Sequence, residues 1–203
     1  MNRIKICGIT NIDDAILCSD VGIDFIGLNF YSKSKRFIDL KKAELLINKL
    51  SSEILKVGVF VNEDIAIINN HVRSLELDYV QLHGEEPPET IDKIQCKVIK
   101  AFSAKQVNLF EYVSHFNTEY WLFDSSDTEQ RGGTGEVFDW NTISDIVPRE
   151  KLILSGGLNE SNIQEAMERT KINFVDICSG VELSPGKKDV KKLESVVRLV
   201  KHG

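Results

Sequence analysis

The sequence predicts an α/β protein that forms one (β/α)8 barrel of the TIM type over residues 1–203. Eight short β-branched runs alternate with eight helical stretches, whereas an open doubly wound sheet of the flavodoxin type needs only about five such units. The strand at 57–61 is apolar on both faces, as expected when helices cover one face and a barrel core the other. Two turns of very small residues, Ser155–Gly157 and Ser179–Gly180, follow the last two strands, where such barrels bind phosphate.

The alternation assigns each element a place along the chain. We expect strands at 3–9, 24–30, 55–61, 79–83, 97–102, 120–125, 152–155 and 174–179. We expect helices near 11–21, 39–51, 63–75, 87–94, 105–116, 141–147, 160–170 and 189–201. The candidate helix caps are Thr10 or Asn11, Asp39, Asn62 and Asn159, because their side chains accept hydrogen bonds from the first turn of a helix. No linker or low-complexity segment interrupts the pattern, which indicates one domain.

Composition narrows the class of partner. The net charge of −6 disfavours nucleic-acid binding, which usually needs a basic surface. No apolar run approaches the ~18 residues of a membrane span. The N-terminus enters a strand without a signal-peptide core, so we expect a cytoplasmic protein that acts on a small molecule. Either a monomer or a homodimer fits the sequence.

The catalytic residues of such a barrel lie at the carboxyl ends of its strands. The residues expected there are Cys7, Asn29, Phe60, His83, Phe102, Asp124, Ser155 and Ser179. Cys7 ends the first strand and points the same way as Lys5. A thiol serves as a base only if positive charge lowers its pKa. Asp124 closes the sixth strand, where partial desolvation of a carboxyl group favours the protonated form needed to donate a proton. Asp127 is the alternative acid.

Anion-binding groups are expected on both sides of this site. The loop after the second strand carries Lys33, Lys35 and Arg36, and an arginine can bind a carboxylate through two parallel hydrogen bonds. At Gly156, Gly157, Ser179 and Gly180, bare backbone N–H groups and a helix beginning at each turn would hold a phosphate. The lysine pairs at 187–188 and 191–192 are interpreted as a solvated final helix without a role.

Three further groups have two interpretations each. The loop Arg131–Gly135, with Gly133 at its centre, is either simply flexible or a cover over the barrel mouth that donates N–H groups. His83 either binds the ligand or only bonds to its neighbours. Asp176 either holds a sugar hydroxyl or orients adjacent groups. The four cysteines lack metal-ligand spacing, and Cys18 and Cys96 are interpreted as small buried hydrophobic residues.

Seven segments in this order resemble phosphoribosylanthranilate isomerase of tryptophan biosynthesis, over residues 3 to about 189. They are Lys5–Thr10, Gly27–Tyr31 with Lys33 and Arg36, Val57–Asn62, Val80–Gly84, Gly132–Gly135, Ser155–Asn159 and Val175–Glu182. The sequence departs from the family at three places. Ser32 and Lys35 stand where the family commonly has prolines, Ser155 replaces the alanine of Ala-Gly-Gly, and Cys178 replaces the first serine of Ser-Ser-Gly.

The resemblance implies a reaction and a role for each site residue. The family converts N-(5-phosphoribosyl)anthranilate into the 1-deoxyribulose 5-phosphate by an Amadori rearrangement, with no metal or organic cofactor. Asp124 would be the general acid and Cys7, as a thiolate, the general base. Arg36 would bind the anthranilate carboxylate, and the two glycine turns would hold the phosphate. His83, Gly133 and Asp176 would contact the substrate.

Other functions remain possible at this point. The histidine-pathway isomerase catalyses the same rearrangement on a bisphosphorylated substrate, but it resembles two half-barrels with paired aspartates and two phosphate sites, whereas Cys7 ends the first strand here. A phosphosugar epimerase or lyase rests on fold analogy alone. A barrel that only binds a phosphorylated ligand has no need of both Cys7 and Asp124.

Overall fold

Eight parallel strands close into a barrel in which each strand pairs with the next along the chain, and the last pairs with the first. The computed structural model describes residues 2–106, 108–125, 138–143 and 146–203. The strands are β1 (Arg3–Cys7), β2 (Phe25–Asn29), β3 (Leu55–Phe60), β4 (Tyr79–Leu82), β5 (Lys97–Ser103), β6 (Tyr120–Asp124), β7 (Leu152–Leu154) and β8 (Phe174–Ile177). The helices are α1 (Ile12–Asp20), α2 (Leu40–Ile47), α3 (Ile65–Leu75), α4 (Leu109–Ser114), α5 (Ile163–Thr170) and α6 (Val190–His202). The predicted (β/α)8 class is confirmed.

The alternation of side chains along the strands divides the core into two layers. One set fills the inside of the barrel, with Phe25, Val57, Tyr79 and Phe174 among its buried members. The larger set lies between the strands and the surrounding helices. Near the carboxyl ends of the strands, many inward-facing residues are polar, and they line a cavity.

Two of the predicted helices are short 3-10 segments instead, at Pro88–Lys93 and Trp140–Ile143. The first begins at Pro88, directly after Pro87. None of the helices in the described residues is both long and apolar enough to span a bilayer.

The capping predictions are partly correct. Asn11 and Asp39 cap α1 and α2 by accepting hydrogen bonds from backbone N–H groups three residues later. Asn62 does not cap α3: it has a φ of 50° and bonds to the Glu85 N–H, and Asp64 is the cap. Asn159 caps a short turn that precedes α5, which begins four residues later.

A hairpin between β8 and α6 was not predicted. Strands β9 (Glu182–Ser184) and β10 (Lys187–Lys188) pair antiparallel, and Gly186 makes the turn with a φ of 83°. The Pro185-Gly186 dipeptide is a turn signal that the sequence already contains. Because Lys187 and Lys188 form its second strand, the hairpin decides which way their side chains face.

Candidate active site

A cavity of about 680 Å3, counting the space at its open mouth, lies at the carboxyl end of the barrel. Eight predicted site residues line it, namely Cys7, Arg36, His83, Asp124, Gly156, Gly157, Asp176 and Ser179. Gly180 is not among the described residues that line the cavity. Gly133 and the rival acid Asp127 lie outside the described residues. Asn29 and Ser155 also line the cavity as expected, whereas Phe60 and Phe102 do not and pack in the layer between the strands and the helices.

Cys7 lies beside a buried ion pair. Lys5 is fully buried, and its Nζ lies 2.8 Å from Asp176 Oδ1. Burial opposes the charge of Lys5, but Asp176 and Cys7 outweigh burial, so the pKa of Lys5 is raised and the ammonium stays charged. Gly27 on β2 makes room for both groups, because a Cβ there would lie 2.7 Å from Cys7 Sγ and 3.2 Å from Lys5 Nζ.

The pKa of Cys7 is lowered to about 7. The largest cause is a hydrogen bond from the Cys178 thiol; burial opposes it, and the Lys5 ammonium lowers the pKa further. A lowered pKa makes the thiolate available near neutral pH, as a base that abstracts a proton from carbon requires. Asp176 pairs with Lys5 and also lines the cavity, so both interpretations of this residue remain predictions.

Lys188 corrects a prediction. It is 2% exposed, not solvated. Its Nζ donates to the carbonyl oxygen of Cys7 at 2.7 Å and lies 3.0 Å from Glu182 Oε1. The β9–β10 hairpin turns Lys188 inward, whereas its neighbour Lys187 is exposed as expected. Sequence pattern alone did not separate the two, because the hairpin was missed.

Arg36 enters the cavity from the loop after β2. Its Nε lies 2.9 Å from Glu182 Oε1 and its Nη2 lies 2.6 Å from Oε2, so one edge of the guanidinium is held bidentately. The side chain remains 11% exposed, while Lys33 and Lys35 on the same loop point into solvent. Ser34 orders the loop by accepting hydrogen bonds from the Arg36 N–H and from Asn29. Only one of the three predicted cations therefore faces the site.

Asp124 and His83 form the other side of the cavity. Asp124 is 5% exposed, and its Oδ2 lies 3.9 Å from His83 Nε2. Burial, followed by the charge of Lys100, lowers the pKa of His83 to about 4, so the imidazole is neutral at physiological pH. The side-chain amide of Gln81 fixes the ring from the opposite edge, 2.7 Å from Nδ1. Gln81 was not predicted, although it precedes His83 by two residues on the same face of the strand.

The two glycine turns lie next to each other. Gly156 and Gly157 have φ values of 85° and 64°, and a Cβ on Gly156 would press on the Ser125 backbone at 2.7 Å. Gly180 packs against the carbonyl of Leu158, where any side chain would collide. The expectation that a helix begins at each turn is wrong: α5 begins six residues after Gly157, and Ser179–Val181 is one 3-10 turn. Backbone N–H groups, rather than a long helix dipole, are what the turns offer an anion.

Comparisons with known proteins agree with this geometry. A family model described as N-(5'-phosphoribosyl)anthranilate (PRA) isomerase matches residues 4–199. A curated relative of that name from Geobacter sulfurreducens is 38% identical, and the match covers 99% of each chain. One from Listeria welshimeri is 40% identical, with 98% of each chain covered.

Solved structures give the same result. The phosphoribosyl anthranilate isomerase of Thermotoga maritima has a TM-score of 0.86 and 37% identity, with 99% of each chain covered. Another structure of such an enzyme, in complex with reduced 1-(o-carboxyphenylamino)-1-deoxyribulose 5-phosphate, has a TM-score of 0.83 at 37% identity, again over 99% of each chain. The full-length match in sequence and fold shows that the chain belongs to the N-(5'-phosphoribosyl)anthranilate isomerase family.

Proposed function

We propose that this chain isomerises N-(5'-phosphoribosyl)anthranilate to 1-(2-carboxyphenylamino)-1-deoxyribulose 5-phosphate in tryptophan biosynthesis, by general acid–base catalysis. The single observation that carries the proposal is that the Cys7 thiol and the buried carboxyl group of Asp124 line the same cavity. Residues 1–203 act as one catalytic domain, and the cytoplasm is the compartment in which its small-molecule substrate is expected.

The reaction starts at Asp124. Its carboxyl group donates a proton to the ribose ring oxygen, the C1–O bond breaks, and the lone pair of the anthranilate nitrogen forms the C=N bond of a protonated Schiff base. The Cys7 thiolate then removes the proton from C2, and the C2–H electron pair forms the C1=C2 bond of an enolamine. As that bond forms, the C=N π pair returns to nitrogen. The C2 hydroxyl then gives its proton to the Asp124 carboxylate and the Cys7 thiol gives one to C1, which forms the ketone and restores both groups.

The remaining residues bind the substrate at its two anionic ends. Arg36 binds the anthranilate carboxylate through the part of its guanidinium that Glu182 does not occupy. The phosphate binds to the backbone N–H groups of Gly156, Gly157, Ser179 and Gly180. His83, Gly133 and Asp176 contact the sugar and the linking atoms between these ends.

The test follows the loss of anthranilate-type fluorescence after freshly prepared phosphoribosylanthranilate is mixed with purified protein. Cys7→Ser and Asp124→Asn should each lower kcat by about 10²–10⁴-fold, the usual contribution of a general base or acid. Cys96→Ala, which removes a thiol far from the cavity, is the matched control. A wild-type protein that leaves the fluorescence unchanged contradicts the proposal, and so does a Cys7→Ser variant with full turnover.

A further inference from the structure

A second thiol, that of Cys178, lies beside Cys7 just after the end of the neighbouring strand β8. β1 and β8 pair in parallel with Ile6 opposite Ile177, so Cys7 and Cys178 are the next residues along each strand. Both line the cavity. The Lys188 ammonium donates hydrogen bonds to the backbone of both residues: its Nζ lies 2.7 Å from the carbonyl oxygen of Cys7 and 3.3 Å from that of Cys178. One buried donor thus fixes both backbones side by side.

The side chain of Cys178 lies against Gly8, the residue that follows Cys7. Gly8, which follows Cys7 with a φ of 74°, leaves space for it: a Cβ there would lie 3.2 Å from Cys178 Sγ. The two neighbouring thiols are close enough for each to shift the pKa of the other. A neutral S–H group is a weak donor, but a hydrogen bond to an anion is about twice as strong as a neutral one.

The surrounding charges decide which sulfur is the anion. The groups that face Cys7 are Lys5 on β1, Asp176 on β8, Cys178 after β8, Lys188 on β10 and Arg36 in the loop after β2. Lys5 Nζ and Cys7 Sγ are neighbours, since a Cβ on Gly27 would lie 3.2 Å from the first and 2.7 Å from the second. The hydrogen bond with Cys7, followed by burial, holds the pKa of Cys178 well above that of an ordinary thiol, so Cys178 keeps its proton. Because the Lys5 ammonium lies next to Cys7, the negative charge is favoured on Cys7, and Cys178 is the donor.

We propose that Cys178 is a positioning residue, whose S–H group donates a hydrogen bond to the Cys7 thiolate and keeps the sulfur ionised and aimed into the cavity. This inference rests on the proposed role of Cys7 as the base. Cys178 gives up no proton during turnover. It stabilises the thiolate before Cys7 takes the proton from C2 and again after that proton leaves. A serine at position 178, the residue that the family often has there, would keep a donor on the same backbone.

The experiment compares the full chain with Cys178→Ala and Cys178→Ser. The rate at which iodoacetamide alkylates Cys7 is measured against pH by mass spectrometry of the peptide that contains Cys7, because only the thiolate reacts. For Cys178→Ala, loss of a hydrogen bond to a charged group should slow alkylation at pH 7 by roughly fivefold or more and move the inflection to higher pH. Cys178→Ser should restore the rate to within about twofold of the wild-type value.

Turnover provides the second readout. The kcat of Cys178→Ala should fall at neutral pH and recover in alkaline solution, with KM little changed, whereas Cys96→Ala should alter neither profile. An alkylation profile of Cys178→Ala that matches the wild type overturns the inference, as does an equal, pH-independent loss of kcat in both Cys178 variants. A shifted alkylation profile in a protein whose Cys7→Ser variant remains active supports the hydrogen bond and rejects Cys7 as the base, so the two proposals can fail separately.

Discussion

Two buried lysine–carboxylate pairs lie on opposite sides of the barrel. Lys5 pairs with Asp176 across β1 and β8, at 2.8 Å, and Lys100 on β5 pairs with Glu86 after β4, at 3.0 Å. Neither lysine is more than 2% exposed. The two pairs differ in the third group that each ammonium meets.

The third group decides what each pair does. Lys5 contacts the Cys7 thiol and changes how readily it ionises. Lys100 contacts backbone instead, with its Nζ 2.7 Å from the Gly84 oxygen, and Glu86 accepts from the N–H groups of Asn62 and Gly84. One ion pair therefore acts on the Cys7 thiol, and the other holds the loop that carries His83 and helps to keep that imidazole neutral. The role of a buried lysine–carboxylate pair therefore depends on its neighbours, because the remaining donors and acceptors of the pair bond to the groups next to them.

The largest expected effect is on stability, at the architectural pair. Lys100→Met leaves Glu86 buried without its ammonium and should lower the free energy of unfolding by about 3–5 kcal/mol, measured by urea denaturation. Lys97→Met, on the same strand but 60% exposed, should cost less than about 1 kcal/mol. Equal losses in the two variants would contradict the assignment of Lys100.

The pH dependence of that loss has a defined sign. Burial alone would raise the pKa of Glu86, but Lys100 and the backbone donors lower it. The stabilisation is therefore fully present above the ordinary pKa of a glutamate, about 4.3, and is lost as the pH falls through the lowered value. The difference in the free energy of unfolding between the wild type and Lys100→Met should therefore become smaller in acid.

Arg36 is a third paired cation, one that also faces the cavity. Arg36→Ala should raise KM by about tenfold to a hundredfold, the range of a hydrogen bond between charged groups, with a smaller change in kcat. Glu182 keeps a partner in this variant because Lys188 lies 3.0 Å away. Lys35→Ala, on the same loop but exposed, is the control. An unchanged KM in Arg36→Ala would remove that residue from the carboxylate site.

The smallest expected effect is a shift along the pH axis. Activity should rise with pH as Cys7 ionises near 7, and Lys5→Met should move this rise to higher pH, with kcat/KM about tenfold lower at pH 7 and recovered in alkaline solution. The midpoint of this rise in the double variant Lys5→Met, Asp176→Asn should lie between that of Lys5→Met and that of the wild type, because the charge of Asp176 raises the pKa of Cys7. Lys100→Met should leave the midpoint where it is. If the midpoint of the pH profile shifted in Lys100→Met and not in Lys5→Met, the roles assigned to the two ion pairs would be wrong.

Local signals predicted the parts of the site that lie at strand ends. Cys7, His83, Asp124 and the Gly156-Gly157 turn could be named because each follows a recognisable apolar run and the barrel places all such ends at one rim. The partners of these groups were harder to predict. Lys188 was interpreted as solvated, and Glu182 and Cys178 were assigned no role from their own residue types. Each of these three residues acts on a residue more than a hundred positions earlier in the chain. Lys188 and Glu182 also contact each other, because the β9–β10 hairpin brings them together.

The sequence by itself determined the order of strands, the barrel class and the residue types presented at the rim, because apolar periodicity and glycine turns are local properties of the chain. The tertiary structure alone decided which charge meets which acid or thiol. Closure of β8 onto β1 joins Lys5 to Asp176 across 171 positions, and it places Cys178 beside Cys7. A thiol's pKa depends on charges and donors within a few ångströms, and barrel closure sets those distances.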